Sequence, residues 1–351
     1  MNAPTPYSAN VELTLACNMR CVHCGAFAGR KRDNELTLAE LDRFFAEFAA
    51  LGGVEACLLG GEPFLRPDWK EVATAAAERG LNVLFITNGF AVDPPLVAQM
   101  AALPRIDRVG VSLDGASPRV HDAIRRRPGS FERAWAALLA LRDAGLEVGA
   151  ITTVSRRNLG ELKALRDRLR GQNLTWQIQV ASLHGRKFDR AEMLSEQEFY
   201  QVGRFIARCR AEIPVEELPV AGSHDIGYHS DRLGRYGELS DWPGCAAGIA
   251  TVGLLSDGRV KGCLSQSEEF VEGSIRERPF REIWTDPKAF ARNRRFRPDL
   301  LTGTCGGCVH GPTCRAGCAD LGFAASGRLY ENPYCFHRIE REGKVPIEEI
   351  W

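Results

Sequence analysis

The sequence lacks three features that would place it in a simple functional class. Its 45 lysine and arginine residues are balanced by 45 aspartate and glutamate residues, so it has no basic excess typical of a nucleic-acid binder. Its longest apolar stretches, such as residues 83–87, are far too short to span a bilayer. Its first residues contain no charged segment followed by an apolar one, so no secretory signal is expected. Together these absences predict a cytoplasmic protein that binds neither nucleic acid nor membrane.

Cysteine, by contrast, is abundant and clustered. Of the 12 cysteines, three lie within residues 17–24 and seven lie within residues 245–335. Disulfides are rare in a reducing compartment, so clustered cysteines there predict metal ligands or redox thiols. Cys57 and Cys209 stand alone on a predicted strand and a predicted helix, and we expect both to be buried apolar side chains.

Residues 10 to about 212 alternate predicted strands and helices as six β/α units. The predicted strands cover 11–16, 54–59, 81–87, 106–113, 146–154 and 174–182, and the predicted helices cover 37–51, 68–79, 94–102, 130–144, 158–170 and 195–211. This alternation predicts a parallel α/β sheet with right-handed crossovers, as either an open doubly wound sheet or an incomplete barrel. We expect the α/β unit at 1–212, a connector at 213–244, a cysteine-rich domain at 245–340 and a tail at 341–351.

Several polar residues follow or end predicted strands, namely Cys17, Glu62, Asn88 and Asp114. In such folds ligands gather at the carboxyl ends of the strands. We therefore expect these residues to converge on one face. The run at residues 125–127 is three consecutive arginines, and it predicts a solvated loop, with an anion contact as the alternative. His121, Asp122 and Arg125 follow the fourth strand, where a structural role in the loop and a substrate contact are both open.

The first cysteine group has the spacing CxxxCxxC, directly after the first predicted strand. Three thiolates on one short loop can bind one face of an iron–sulfur cube and leave a fourth iron without a protein ligand. Zinc is the main alternative, but structural zinc normally has four protein ligands. His23 is the available fourth ligand, although its position between two of the cysteines makes that geometry awkward.

This loop and three turns resemble the radical SAM enzymes over the whole first domain. The turns are Gly60-Gly61-Glu62-Pro63, Thr87-Asn88-Gly89 and Ser112-Leu113-Asp114-Gly115. The resemblance implies a partial (β/α)6 TIM-like barrel and a 4Fe–4S cluster held by Cys17, Cys21 and Cys24. It also implies that the free iron chelates S-adenosylmethionine (SAM), whose one-electron cleavage gives a 5′-deoxyadenosyl radical that abstracts a hydrogen atom.

The residues expected to contact SAM lie on these turns and on the cysteine loop: Gly60, Gly61, Glu62, Asn88, Ser112, Asp114 and His23. The glycines let the backbone approach a ligand closely, and the Glu62 carboxylate or a flanking carbonyl can hold the methionine ammonium. Ser112 and Asp114 are placed to bind the ribose hydroxyls or the amino-acid carboxylate. His23 holds the place of an aromatic residue that in this family often packs on adenine. Ordinary turn chemistry is the alternative for each of these turns.

The second cysteine group resembles the SPASM domain. Cys245 is followed by x12-Gly258-x4-Cys263, and later by Cys305-x2-Cys308-x5-Cys314-x3-Cys318 and then Cys335. The resemblance implies two auxiliary 4Fe–4S clusters. The distal one is held by Cys305, Cys308, Cys314 and Cys335, and the proximal one by Cys245, Cys263 and Cys318.

Seven cysteines cannot supply eight ligands. The proximal cluster is therefore predicted to have an open iron, a non-cysteine ligand or a substrate ligand. Electron transfer, substrate ligation and a structural role all remain open for the auxiliary clusters, and a zinc-ribbon module is the alternative from another class.

Gly185–Lys187 and the connector are expected at the barrel mouth, where Tyr228 or His229 could act as acid, base or radical relay. Loop packing is the simpler alternative for both.

The full cysteine set favours a radical SAM/SPASM oxidoreductase that abstracts a hydrogen from a ribosomally synthesised peptide and forms an oxidative cross-link (C–C, C–O or thioether). The expected partners are a precursor peptide and a flavodoxin- or ferredoxin-type reductant. Only about ten residues precede the first strand, so leader recognition is expected from a discrete protein or by direct binding. The alternatives are a small-molecule dehydrogenase or decarboxylase of natural-product biosynthesis and a sulfatase-maturase-like formylglycine-forming enzyme.

Overall fold

The computed structural model of the chain describes residues 3–183, 188–233 and 244–346. Within these ranges, ten strands form one sheet in the order β10-β9-β8-β1-β2-β3-β4-β5-β6-β7. Strands β1 to β6 are parallel neighbours in sequence order. This arrangement confirms the predicted parallel sheet with helical crossovers.

Each of the first six strands begins and ends within two residues of its predicted bounds, except that β1 begins three residues earlier than predicted. They are β1 (Ser8–Thr14), β2 (Glu55–Gly60), β3 (Asn82–Thr87), β4 (Ile106–Ser112), β5 (Val148–Val154) and β6 (Thr175–Val180). The helices that follow them are α1 (Leu38–Ala50), α2 (Trp69–Glu78), α3 (Pro94–Ala101), α4 (Pro118–Arg125), α5 (Ser130–Asp143), α6 (Leu162–Leu169) and α7 (Glu196–Glu212). Helix α4 is an element that the sequence analysis did not predict.

Helix α1 shows why these segments fold as predicted. The Thr37 side chain accepts a hydrogen bond from the backbone of Glu40, and the Glu40 carboxylate accepts one from the backbone of Thr37, which makes a capping box. Four side chains at helical spacing are buried against the sheet: Leu41, Phe44, Phe45 and Phe48. The two lone cysteines, Cys57 and Cys209, are also buried in the core, as expected.

The sheet continues into regions where the sequence predicted no strand. In the predicted connector, β7 (Val220–Gly222) pairs in parallel with β6. Beyond it, β8 (Thr251–Leu254) pairs in parallel with β1, and β9 (Arg259–Lys261) and β10 (Val271–Ser274) follow as antiparallel neighbours. The segment at 251–274 therefore extends the barrel sheet. The domain boundaries derived from the sequence stay a prediction.

Buried polar contacts join the two parts of this sheet. Glu12 of β1 is only 4% exposed. Its Oε1 accepts hydrogen bonds from the Ser256 hydroxyl at 2.7 Å and from Arg32 Nε at 3.0 Å. A buried carboxylate that lost these donors would be costly, because burial removes it from water. These contacts fix β8 beside β1.

The remaining helices are short: α8 (Phe280–Thr285), α9 (Ala291–Arg294), α10 (Gly311–Cys314), α11 (Ala319–Ser326) and α12 (Phe336–Arg341). Phe336 of α12 is fully buried, and its ring lies 4.9 Å from that of Phe199 in α7. A Cβ at Gly203 would lie 2.3 Å from the Phe336 ring, so this glycine permits the close approach of α12 to α7. Among the described residues, none of the helices has the length and apolar character needed to cross a membrane.

Candidate metal centres

The first cysteine group lies on the loop that follows β1. The backbone of this loop is held by hydrogen bonds from Cys17 N–H to Gly29 O at 3.3 Å and from Cys24 N–H to Cys21 O at 3.4 Å. Met19 and Val22 between the cysteines are 2% and 3% exposed. These two apolar side chains anchor the loop in the core, so the positions of the three thiols are fixed by packing.

The glycine turn after β2 packs directly against this loop. The N–H of Glu62 donates to Ala16 O at 2.8 Å, and a Cβ at Gly61 would lie 2.1 Å from the same oxygen. Gly60 has a φ of 133°, a conformation that residues with side chains rarely adopt. Both glycines are therefore required for the close approach of the two strand ends.

The Glu62 side chain is turned inward and is fully buried. Its Oε1 accepts from the Thr87 hydroxyl at 2.7 Å, and its Oε2 accepts from the Asn88 N–H at 2.8 Å. Burial raises the pKa of Glu62 to about 7, although these hydrogen bonds oppose the shift. Because both carboxylate oxygens already have donors, a backbone carbonyl of the turn is the better candidate for the predicted ammonium contact.

Asn88 joins the end of β3 to the cysteine loop. Its Nδ2 donates to Asn18 Oδ1 at 2.7 Å and lies 3.8 Å from Cys17 Sγ. The structure thus brings together Cys17, Glu62 and Asn88, which lie far apart in the sequence. Their predicted contacts with SAM stay a prediction.

Arg125 corrects the expectation of a solvated arginine loop. It is the last residue of α4 and is only 8% exposed, whereas Arg126 and Arg127 are exposed as predicted. Its Nη2 lies 2.7 Å from Asp114 Oδ2, and its Nη1 donates to Cys21 Sγ at 3.7 Å. The expectation was wrong because α4 turns His121, Ile124 and Arg125 inward at helical spacing.

Asp114 holds this arginine in place. It is fully buried, and its Oδ1 accepts from the Thr153 N–H at 2.9 Å. Burial alone would raise the pKa of Asp114, but the Arg125 guanidinium, the two histidines His23 and His121, and the hydrogen bond from Thr153 together keep that pKa below its ordinary value. The Asp114 N–H donates to His121 Nδ1 at 3.1 Å, so the role of His121 that the structure shows is structural. The predicted contact of Asp114 with SAM stays a prediction.

His23 and Ser112 occupy the remaining predicted SAM positions. His23 Nε2 lies 3.7 Å from Asp114 Oδ2. Burial lowers the pKa of His23 to about 4, so the imidazole is neutral at pH 7. Ser112 is half-buried at the end of β4. The adenine and ribose contacts of these two residues stay predictions.

The four-cysteine group lines a cavity with a volume of about 400 Å³. Three consecutive residues after Cys314, at positions 315–317, have φ angles of 55°, 65° and 66°. This tight left-handed turn separates Cys314, which lines the cavity, from Cys318, and the assignment of the two to different clusters stays a prediction. Gly317 is required in the turn because a Cβ there would lie 2.3 Å from the Tyr228 ring.

The three-cysteine group of the C-terminal region is identified by mutual electrostatic effects. Burial raises the pKa of Cys318 far above its ordinary value, and Cys245 and Asp320 raise it further. Burial also raises the pKa of Cys263 to about 11, with contributions from Asp320 and Cys245. Cys245 therefore lies near both of the other thiols, and Asp320 lies near Cys263 and Cys318. The fourth ligand of this site stays open.

The sulfur positions favour a cluster over a single zinc ion. Ligand atoms of a tetrahedral zinc–thiolate site lie about 3.8 Å apart, given a Zn–S bond of about 2.3 Å. Among the described residues, no group of three ligand atoms that includes a cysteine sulfur lies within 4.8 Å of one another. All twelve cysteines are free, and burial raises the pKa of Cys17 to about 11. Bound metal would stabilise such buried thiols as thiolates, so the three groups fit iron–sulfur clusters.

Tyr228 and His229 lie in the wall of the four-cysteine cavity. The Tyr228 hydroxyl donates to Asp225 O at 3.3 Å and accepts from Asn332 Nδ2 at 3.2 Å. The Asp225 carboxylate accepts from the N–H of Val180 at the end of β6, so this segment does reach the barrel mouth. An acid, base or relay role for Tyr228 or His229 stays a prediction. Gly185–Lys187 lie outside the described residues.

Sequence reasoning did not predict the burial of two contributors to these sites. Arg125 could have been found, because a proline at the first helical position of α4 and the spacing of its buried residues indicate a helix. The sequence around Asp225 has no comparable pattern that would indicate the burial of its side chain. Its burial depends on the pairing of β7 with β6, and β7 is only three residues long.

Comparison with known proteins agrees with this geometry. A model of the radical SAM superfamily matches residues 11–169, and a model of the SPASM iron–sulfur cluster-binding domain matches residues 245–309. The chain is 33% identical to an AdoMet-dependent heme synthase of Methanosarcina barkeri (93% of this chain, 95% of the relative). It is 32% identical to the mycofactocin maturase MftC of Mycobacterium ulcerans (91% of this chain, 84% of the relative).

The fold also matches a solved structure. SuiB of Streptococcus suis, bound to its precursor peptide SuiA, superposes with a TM-score of 0.75 at 15% identity, over 94% of this chain and 76% of that chain. This match confirms the predicted α/β fold, and the relatives confirm an enzyme that uses iron–sulfur clusters and SAM. The chain belongs to the radical SAM superfamily and carries a C-terminal SPASM domain.

Proposed function

We propose that the chain catalyses a SAM-dependent two-electron oxidation of a ribosomally made peptide that ends in an intramolecular cross-link. The observation that carries the proposal is the presence of two further cysteine groups after residue 244, in the same chain as the SAM-type loop. Three 4Fe–4S clusters account for all ten clustered cysteines. When bound, the first cluster and SAM supply a 5′-deoxyadenosyl radical after one-electron reduction, and the auxiliary clusters supply sites that accept an electron.

The residues around the first loop bind and orient the cofactor. Gly60 and Gly61 bring the backbone carbonyls of the turn next to the cysteine loop, because neither has a side chain to prevent the approach. Asn88 fixes Asn18 and thereby the start of the loop. Arg125 places a positive charge against Cys21 Sγ. The contact between Arg125 and Cys21 is buried, so water is excluded from that side of the loop.

The overall reaction balances as the loss of two hydrogens from the substrate. One hydrogen atom goes to the 5′-deoxyadenosyl radical, which becomes 5′-deoxyadenosine. The second leaves as a proton and an electron when the new C–C, C–O or thioether bond forms. The proton requires a base, for which Tyr228 and His229 are the candidates from the sequence. The electron requires an acceptor, which would be a cluster held by the C-terminal cysteine groups.

Support for a peptide substrate comes from the relative named a mycofactocin maturase, which is similar to this chain over 91% of its length. We propose a precursor peptide as the substrate, a discrete leader-binding protein as a helper, and a flavodoxin- or ferredoxin-type protein as the reductant. A reducing cytoplasm is the proposed location, since all twelve cysteines are free.

A second candidate function is the oxidation of a small molecule. The observation that favours it is the similarity to the relative named a heme synthase, which extends over 93% of this chain and 95% of that protein. In this case the same two cysteine groups would serve an oxidation of a non-peptide substrate, such as a decarboxylation or an alcohol dehydrogenation.

The deciding experiment is an anaerobic assay of the reconstituted enzyme with SAM, a chemical reductant and one substrate at a time. The substrates are short peptides encoded beside the gene, and an iron tetrapyrrole carboxylate. The proposal predicts a peptide that loses two hydrogen atoms by mass spectrometry, in step with 5′-deoxyadenosine. An unchanged peptide together with coupled turnover of the tetrapyrrole would overturn the peptide assignment in favour of the second candidate.

A further inference from the structure

Three histidines and one aspartate form a compact group beside the four-cysteine cavity. We call this group the histidine cluster; its members are His229, Asp231, His310 and His337. The rings of His229 and His310 stack at 4.1 Å with an angle of 8°, and the rings of His310 and His337 meet edge to face at 4.6 Å. None of these residues has a role in the ligand sets described above.

The cysteine framework fixes the positions of these imidazoles. His310 follows Cys308 by two residues, and His337 follows Cys335 by two residues. The backbone N–H of His337 also donates to the carbonyl oxygen of His229 at 2.9 Å. The cluster therefore joins three segments that are far apart in sequence, around residues 229–231, 310 and 337.

The ligand atoms of Asp231, His310 and His337 are close enough for one metal ion. One such atom from each residue lies within 4.8 Å of the other two, and Asp231 Oδ2 lies 3.3 Å from His337 Nδ1. Nitrogen and oxygen ligands of tetrahedral zinc, bound at about 2.0–2.2 Å, lie about 3.3–3.6 Å from one another. Small side-chain rotations would complete such a site, whereas the cysteine groups have a wider spacing.

A second observation also indicates a ligand. His337 is 8% exposed, and within the part of the chain that the structure describes its Nδ1, the atom that lies 3.3 Å from Asp231 Oδ2, has no hydrogen-bond partner. Buried polar atoms in native proteins are almost always paired, so an exception indicates a missing partner. A metal ion is a suitable partner, because a neutral imidazole nitrogen is a good ligand.

We propose that Asp231, His310 and His337 bind one divalent transition-metal ion of the zinc and ferrous class, separate from the cluster held by the neighbouring cysteines. Two imidazoles and one carboxylate are a ligand set that suits these ions and leaves at least one position open. The ion crosslinks the segment before residue 234, the segment between Cys308 and Cys314, and helix α12. Its role is to hold the wall of the four-cysteine cavity closed.

The test measures metal content and stability of the fully reconstituted enzyme, so it does not depend on the substrate or on activity. The protein is loaded with iron and sulfide without oxygen, stripped of weakly bound metal, and equilibrated with Zn²⁺. We expect about one zinc per chain beyond the iron, a higher melting temperature with zinc, and at least about tenfold weaker zinc retention in His310→Gln and Asp231→Asn. Iron content should stay unchanged in Asp231→Asn.

The matched control is His224→Ala, which removes an exposed histidine five residues before His229 and should leave zinc retention unchanged. Wild-type protein with full iron and no zinc would overturn the proposal, as would equal zinc retention in the wild type and in Asp231→Asn. If His310→Gln loses both iron and zinc, the Asp231→Asn variant decides whether the zinc site is separate from the cluster. Loss of zinc alone in that variant supports the separate site, and retention of zinc contradicts it.

Discussion

Replacement of Arg125 by alanine tests the architecture of the first metal site. In the wild type the guanidinium is 8% exposed, lies 2.7 Å from Asp114 Oδ2, and donates to Cys21 Sγ. The substitution leaves a fully buried carboxylate without its cation. Because removal of one partner from a buried ion pair costs about 3–5 kcal/mol, we expect the free energy of unfolding to fall by that amount.

The measurement is anaerobic denaturant unfolding of the wild type, Arg125→Ala, Asp114→Ala and the double variant. The double variant should be destabilised by less than the sum of the two single changes, because each single change leaves the other charge uncompensated. The same substitution should make the reduction potential of the first cluster more negative, since it removes a positive charge and a hydrogen bond to a ligand sulfur. A redox titration followed by electron paramagnetic resonance measures this shift.

The control is Arg126→Ala, which alters the exposed neighbour at the end of the same helix and should change the unfolding free energy by less than about 0.5 kcal/mol. The reasoning is refuted if Arg125→Ala stays within about 1 kcal/mol of the wild type. It is also refuted if the two single changes simply add.

Four further substitutions test other parts of the account. Cys21→Ala should lower the iron content by about four atoms per chain and abolish 5′-deoxyadenosine formation, as elemental analysis and chromatography would show; full iron content would contradict the assignment. Cys314→Ala should keep part of the SAM cleavage but lose product, and equal product would show that its cluster is not needed for electron flow. Gly61→Ala, whose Cβ would lie 2.1 Å from a backbone oxygen, should weaken SAM binding in equilibrium dialysis, whereas the control Gly160→Ala meets no atom within 4 Å and should bind SAM normally. Glu62→Gln should remove a pH dependence of stability. The pKa of Glu62 is raised from 4.5 to about 7. Its contribution to the free energy of unfolding is therefore fully present below pH 4.5 and is lost as the pH rises through about 7, by about 3 kcal/mol in all. An unchanged slope in denaturant unfolding between pH 5 and 8 would contradict this.

The barrel could be predicted because its elements are long and regular. Strands β1 to β6 have six or seven residues, and each is followed by a helix with an apolar face, as in α1. The glycine turns could also be placed, since each follows a strand whose end was clear. These positions were enough to predict that Cys17, Glu62 and Asn88 lie close together, because the carboxyl ends of parallel strands meet at one edge of the sheet.

The parts that could not be predicted depend on tertiary contacts between short segments. Strands β7 to β10 have three or four residues, which is too few to show the alternation of apolar and polar residues that indicates a strand. Arg125 was assigned to solvent because three consecutive arginines usually are exposed, yet Asp114 supplies a buried partner for the first of them. Likewise, the contact between His310 and His337 joins residues 27 positions apart. No local pattern shows such a contact.

The most direct test of the central claim is the reaction of SAM with the reduced, iron-loaded protein. A three-cysteine loop that leaves one iron free predicts stoichiometric 5′-deoxyadenosine and methionine from the wild type, and none from Cys17→Ala under the same conditions. Wild-type protein with full iron content that leaves SAM intact would contradict the account.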